Sequence, residues 1–95
     1  IMKTKKIEQT SSFKKDIKKY RHKPNTLKAL YAAICSLAHS EPLPKSMRPH
    51  ILSGNYEGIW ECHVENDSLL LWIEQNASEE EVITLLRFGS HSNLF

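Results

Sequence analysis

Ninety-five residues, 40% of them hydrophobic, are enough for one core but not two, so residues 1–95 are read as one small domain. No apolar run approaches the roughly 20 residues of a membrane span, the Lys-rich start lacks a following apolar segment, and Cys35 and Cys62 make neither a disulfide framework nor a C-x-x-C pair, which leads us to expect a soluble, cytoplasmic protein. The net charge of +2 hides an asymmetry: ten of the 13 Lys and Arg fall between Lys3 and Lys28 with only Glu8 and Asp16 among them, a local +8 that suits a polyanion such as RNA or, equally, a solvated helix face.

In chain order, Lys3 to Thr10 contains the alternation Lys6, Ile7, Glu8 and predicts a short edge strand, where lysines are tolerated. Ser11 or Ser12 then caps a helix with Phe13, Ile17 and Tyr20 on one face and Lys14, Lys15, Lys18 and Lys19 mostly on the other. Pro24 ends it and Asn25 caps the next helix, where Leu27, Leu30, Tyr31, Ile34, Leu37 and Ala38 form the clearest amphipathic pattern in the chain. The short link between them predicts an antiparallel helical hairpin. Pro42, Pro44, Pro49 and Gly54 predict an irregular loop from Ser40 to Asn55, with His50 near its end.

A strand is expected from Tyr56 to Glu65, with Tyr56, Gly58, Trp60, Cys62 and Val64 on one face and Glu57, Ile59, Glu61, His63 and Glu65 on the other. Asn66 to Ser68 predicts a turn, Leu69 to Ile73 a central strand apolar on both faces, and Gln75 to Ser78 a second turn. In the third strand, Val82 to Phe88, alternation sets Ile83, Leu85 and Arg87 against Val82, Thr84, Leu86 and Phe88, and Gly89 to Phe95 reads as a polar turn with an apolar tip. The element order gives an α+β fold: two N-terminal helices on one face of a twisted, mainly antiparallel sheet, joined at its edge by the first strand. The open face should then carry Glu61, His63 and Arg87.

Three histidines, His50, His63 and His91, lie in or flank the sheet region, and imidazole both takes and gives a proton near neutral pH. His22 and His39 sit at helix ends and are given no role. The phrases His50-Ile51-Leu52-Ser53-Gly54-Asn55-Tyr56-Glu57-Gly58, Glu61-Cys62-His63-Val64-Glu65 with Asp67, and Leu86-Arg87-Phe88-Gly89-Ser90-His91-Ser92-Asn93-Leu94-Phe95 resemble the YafQ branch of the RelE/ParE toxin superfamily. The resemblance extends over nearly the whole chain. It implies a type II toxin: a small endoribonuclease that enters the ribosomal A site, cuts mRNA there, and is held inactive by a cognate antitoxin. That antitoxin often dimerises on operator DNA through a ribbon-helix-helix half and wraps the toxin with its other half.

By the same resemblance the catalytic histidines fall at His50, His63 and His91, with Asp67 and the aromatic Phe95 also tied to activity and Glu61 filling a further acidic position. Two departures stand out. Ile59 and Trp60 occupy positions where relatives commonly carry an aromatic and an Arg, so a basic contact to RNA is either missing or supplied by Arg87 or Arg48. Asn66 replaces a common Pro, and Ser68 a common aromatic.

The chemistry has its own logic. RNA carries its nucleophile, the 2′-OH, so an enzyme that aligns it with the 5′-oxygen requires no metal or other cofactor. It does require a base, an acid and a cation. His91 is assigned as acid, His50 or His63 as base, Asp67 as an orienting group, Arg87 as the cation facing the transition state, and Lys14, Lys15, Lys18 and Lys19 as RNA phosphate contacts. Plainer roles exist: Asp67 as a turn residue, Phe95 as a core-capping aromatic rather than a base-stacking one, and Glu61 as an exposed or supporting carboxylate. A zinc site fits poorly, because the histidines are 13 and 28 residues apart rather than in a close local pair. A non-catalytic ribosome-binding module, or a ParE-like inhibitor of DNA gyrase, is the alternative in which the histidines have no chemical role.

Overall fold

In the computed structural model, which describes residues 4–65, 67–77 and 80–95, strand β1 (Lys6–Gln9) leads into helices α1 (Ser11–Lys19) and α2 (Pro24–Ala38). A long connection carrying the two-residue strand β2 (His50–Ile51) precedes β3 (Trp60–Val64), β4 (Ser68–Ala77), β5 (Glu80–Ser90) and the short helix α3 (His91–Leu94). One sheet contains the strands in the order β1-β5-β4-β3-β2. Among the described residues only the β1–β5 pair is parallel, so the expected α+β class and mainly antiparallel sheet hold. Lys3 of the expected first strand, Asn66 of one expected turn and Ser78 of the other lie outside the described residues.

Burial of one sheet face against the helices makes the core. Phe13 of α1 and Leu30 and Leu37 of α2 meet Cys62, Val64, Leu70, Trp72, Ile83, Leu85 and Phe88. In β3, Cys62 and Val64 are buried while His63 between them is only half-buried, so the alternation read from the sequence holds there. Trp60 continues the inner face, stacked on Trp72 with ring centroids 6.0 Å apart. Trp60 is therefore packed against the core and offers no cation at this position.

Other expectations shift for local reasons. Thr10, not Ser11 or Ser12, caps α1: its Oγ1 accepts from the Phe13 N–H at 3.0 Å while its hydroxyl donates to the Leu86 carbonyl at 2.8 Å. Pro24 opens α2 instead of merely preceding it, since a first-turn residue has no partner for an N–H anyway; Asn25 lies inside the helix. The buried stripe of α2 runs through Thr26, Leu30, Ala33 and Leu37, which rotates Tyr31 out to 50% exposure. The expected loop is partly regular, with one-turn 3-10 helices at Lys45–Met47 and Gly54–Tyr56 as well as β2, so Tyr56 is in a turn and β3 starts only at Trp60. Gln75 and Asn76 are no turn but belong to β4, paired with Val82 and Glu81.

The largest correction concerns β5. Leu71 pairs with Arg87 but its neighbour Trp72 pairs with Leu85, so Leu86 is an extra residue and the alternation changes phase there. Ile83, Leu85 and Phe88 consequently all enter the core. The bulge separates Arg87 from Ile83 and Leu85 and puts it in one cross-strand row with Leu71 and Glu61. Beyond Gln9, where β1 stops, α1 covers the edge of β5. The Thr10 N–H donates to the Leu85 carbonyl at 3.1 Å, and Asp16 Oδ2 accepts from the Phe88 N–H at 2.9 Å.

Burial, with the Glu61 charge beside it, pushes the Cys62 thiol up to about 12 from an ordinary 9.0. Cys35 is exposed. A thiol reagent at pH 8 is therefore expected to label Cys35 alone in the folded protein and Cys62 only after denaturation, as mass spectrometry of the modified peptides would report. The same shift has a sign for stability. The unfolded thiol ionises from about pH 9 and the folded one does not until about 12, so stability falls across that window, by at most about 1.4 kcal/mol per pH unit for this group. Denaturant titrations should show a shallower alkaline decline in Cys62→Ala; parallel declines would refute the assignment.

Candidate active site

On the sheet face away from α1 and α2, a cleft of about 570 Å³ is lined by Glu61, His63, Asp67, Leu69, Ser90, His91 and Ser92. The register explains the assembly. His63 of β3 is opposite Leu69 of β4, which in turn is opposite Gly89 of β5, so a residue without a side chain ends the row and leaves room. A Cβ on Gly89 would meet Leu94 Cδ2 at 3.5 Å, which places α3 over this end of the row. Ser90 caps α3 by accepting from the Asn93 N–H at 3.3 Å, and its Oγ is also 3.3 Å from that of Ser92. His91 is thereby presented at the start of α3, on the same cleft as His63.

His50 stands directly opposite Glu61 in the β2–β3 pair. Its Nε2 is 3.2 Å from Glu61 Oε1, and its Nδ1 is 2.7 Å from the Arg48 carbonyl oxygen. A carbonyl can only accept, so the hydrogen of this bond is on Nδ1. The Nδ1 contact fixes the ring at the rim with Nε2 turned toward Glu61. Arg48 reaches this geometry through a left-handed backbone, φ 48°. Glu61 itself is 8% exposed and joins His50, at the rim, to the cleft that its own side chain lines.

Phe95 packs its ring 5.1 Å from that of His91 and 5.1 Å from that of Tyr56, the latter edge-to-face at 85°. It is 42% exposed, so it is not a core cap. Arg87 is not among the residues lining the cleft. Its Nε and Nη2 donate to Asp16 Oδ2 and Oδ1 at 2.7 and 3.2 Å, and the Asp16 hydrogen bond raises its pKa further above the ordinary arginine value. With 38% of its side chain exposed, the guanidinium retains a solvent-facing flank. Lys14, Lys15, Lys18 and Lys19 are exposed on α1, away from the cleft lining.

The geometry therefore gathers Glu61, His63, Asp67 and His91, attaches His50 through Glu61 and Phe95 through His91, and leaves Arg87 and the four lysines outside the lining. Sequence reasoning missed Asp16 and Tyr56. Asp16 had a signal: it lies three residues after Phe13 and four before Tyr20, on the apolar stripe, where an unpaired carboxylate would be costly. Tyr56 had none, since it fits the phase of the strand that follows.

A family model described as a bacterial toxin of type II toxin-antitoxin systems, YafQ, matches residues 5–95. Over 92 residues the chain is 32% identical to the mRNA interferase toxin YafQ of Escherichia coli K12, with 94% of each sequence covered. A metal-bound toxin from Helicobacter pylori has the same fold with a TM-score of 0.80 and 37% identity, over 95% of this chain and 98% of that one. The E. coli DinJ–YafQ toxin-antitoxin complex contains a chain matched with a TM-score of 0.72 at 30% identity, over 97% and 98% of the two chains. Among the described residues of the present chain, no three His, Cys, Asp or Glu side chains gather closely enough to hold a metal ion, so the donor set does not fit such a group.

Proposed function

Since the chain belongs to the YafQ family of toxins from bacterial type II toxin-antitoxin systems, endoribonucleases of the mRNA interferase kind, we propose that it cuts mRNA in the ribosomal A site without a metal. The observation that carries this reading is the placing of His63 and His91 on one cleft with Glu61 and Asp67. In the proposed reaction the 2′-OH attacks the adjacent phosphorus and the P–O5′ bond breaks, leaving a 2′,3′-cyclic phosphate or, after hydrolysis, a 3′-phosphate, and a 5′-hydroxyl. His63 takes the 2′-OH proton and His91 delivers one to the departing 5′-oxygen. His63 lines the cleft itself while His50 stands at the rim with Nε2 3.2 Å from Glu61, which favours His63 as the base and gives His50 the role of positioning Glu61.

Asp67 orients an imidazole or the substrate, and Phe95 holds the His91 ring from its far side. Arg87, kept charged by Asp16, contributes positive potential toward the developing phosphorane charge through its exposed flank. The lysines of α1 are proposed to grip rRNA phosphates at the rim, a contact that weakens steeply with salt. The proposed partners are the ribosome with its mRNA and a cognate antitoxin of the ribbon-helix-helix type, met in the cytoplasm. No helix among the described residues is long and apolar enough to cross a membrane.

The test is cleavage by purified, antitoxin-free protein in EDTA, mapped by primer extension with and without programmed ribosomes. Cuts at A-site codons that vanish when ribosomes are omitted are expected. An absence of cutting under all conditions, with toxicity retained in cells, would transfer the assignment to a binding module.

A further inference from the structure

Resting on the nuclease reading above, we infer that Tyr56 is a stacking subsite for a nucleobase next to the scissile phosphate. Tyr56 is 44% exposed, although it sits on a backbone with little freedom. The Glu57 N–H donates to the Gly54 carbonyl at 3.2 Å, the Ile59 N–H to the Tyr56 carbonyl at 3.1 Å, and the Leu52 N–H to the Ile59 carbonyl at 2.8 Å. Gly54 and Gly58 bracket the turn at φ 71° and 89°, a region side-chain-bearing residues rarely adopt. A large ring is thus held half in solvent by a fixed turn, against the exposed ring of Phe95.

Its place relative to the cleft gives the ring a use. Phe95 touches His91 on one side and Tyr56 on the other, each at 5.1 Å, so Tyr56 lies within about 10 Å of His91 at the end of an aromatic row. Phe95 is occupied by both neighbours. Tyr56 is the outer member, and in an edge-to-face pair at 85° its ring still has a face to offer. Every base has a π-face, so such a platform binds RNA with little sequence preference.

The experiment is steady-state cleavage on programmed ribosomes by wild type, Tyr56→Ala, Tyr56→Leu and Tyr56→Trp, with thermal midpoints recorded for each. Ala and Leu are expected to raise KM by about ten- to a hundredfold with kcat within a few-fold of wild type, while Trp restores KM. Leu is the informative control, because it keeps apolar contact with Phe95 but has no π-face. An unchanged KM in Ala, wild-type behaviour in Leu, or a loss confined to kcat would overturn the subsite. A wild-type protein that does not cut at all would instead overturn the nuclease reading on which the subsite rests.

Discussion

Replacing His91 by Ala is expected to lower the single-turnover rate of mRNA cleavage on programmed ribosomes by about 10²–10⁴-fold, with the thermal midpoint close to that of the wild type. The loss is large because an RNA 5′-oxygen leaves poorly without a proton, and the small cost in stability follows from the exposure of His91 on α3. The assignment of acid and base is separable by chemistry. A substrate with sulfur in place of the bridging 5′-oxygen needs no protonation to depart, so it should restore cutting by His91→Ala and not by His63→Ala. Rescue of both variants, or of neither, would refute the division of labour. On the substrate side, deoxyribose at the cut site removes the nucleophile and should abolish cleavage; undiminished cutting would rule out 2′-OH attack.

The second large effect is one of stability. Asp16 is 3% exposed and accepts from Arg87 Nε, Arg87 Nη2 and the Phe88 N–H. Asp16→Ala leaves that N–H without an acceptor, at a cost of about 1–3 kcal/mol, and removes the charged hydrogen bonds. The ion pair itself is discounted, because Arg87 is 38% exposed in its side chain and water can take over part of its solvation. A net loss of about 2–4 kcal/mol is expected. For a chain of this size that is a fall in thermal midpoint of about 10–25 °C. Asp16→Asn can keep an acceptor for Phe88 and should lose roughly half as much. Equal midpoints for Ala and wild type in calorimetry would show that the pair is dispensable.

What could be read from the sequence followed from burial. In β3, one face packs on helices and the other faces the cleft, so Cys62 and Val64 separate from Glu61 and His63 by simple alternation, and those two cleft residues could be named in advance. Alternation failed in β5 because the extra residue, Leu86, carries no Gly or Pro to announce it; the bulge is set by how β4 and β5 pair. The helix stripe on α2 was read one step too wide, since Tyr31 keeps the 3-and-4 spacing while pointing to solvent. The link between His50 and Glu61 was invisible for another reason. A two-residue strand after three prolines has no pattern of its own, and only its pairing with β3 brings the two side chains together.

The parallel pairing of β1 with β5 also sets when this molecule can become active. Lys6 is matched to Val82, and Asp16 waits for Arg87 across 71 residues of chain, so the loop that must close contains most of the protein. Such long-range closure is entropically costly and slow relative to local contacts. During synthesis the helices and β3 emerge first, yet they are without both the strand that completes the sheet and the second histidine of the cleft, His91. A chain without β5 and α3 therefore has half a cleft, lacking Ser90, His91 and Ser92. The cleft is complete only once β5 has paired with both β4 and β1, so it closes with the slow long-range contacts and not with the local ones.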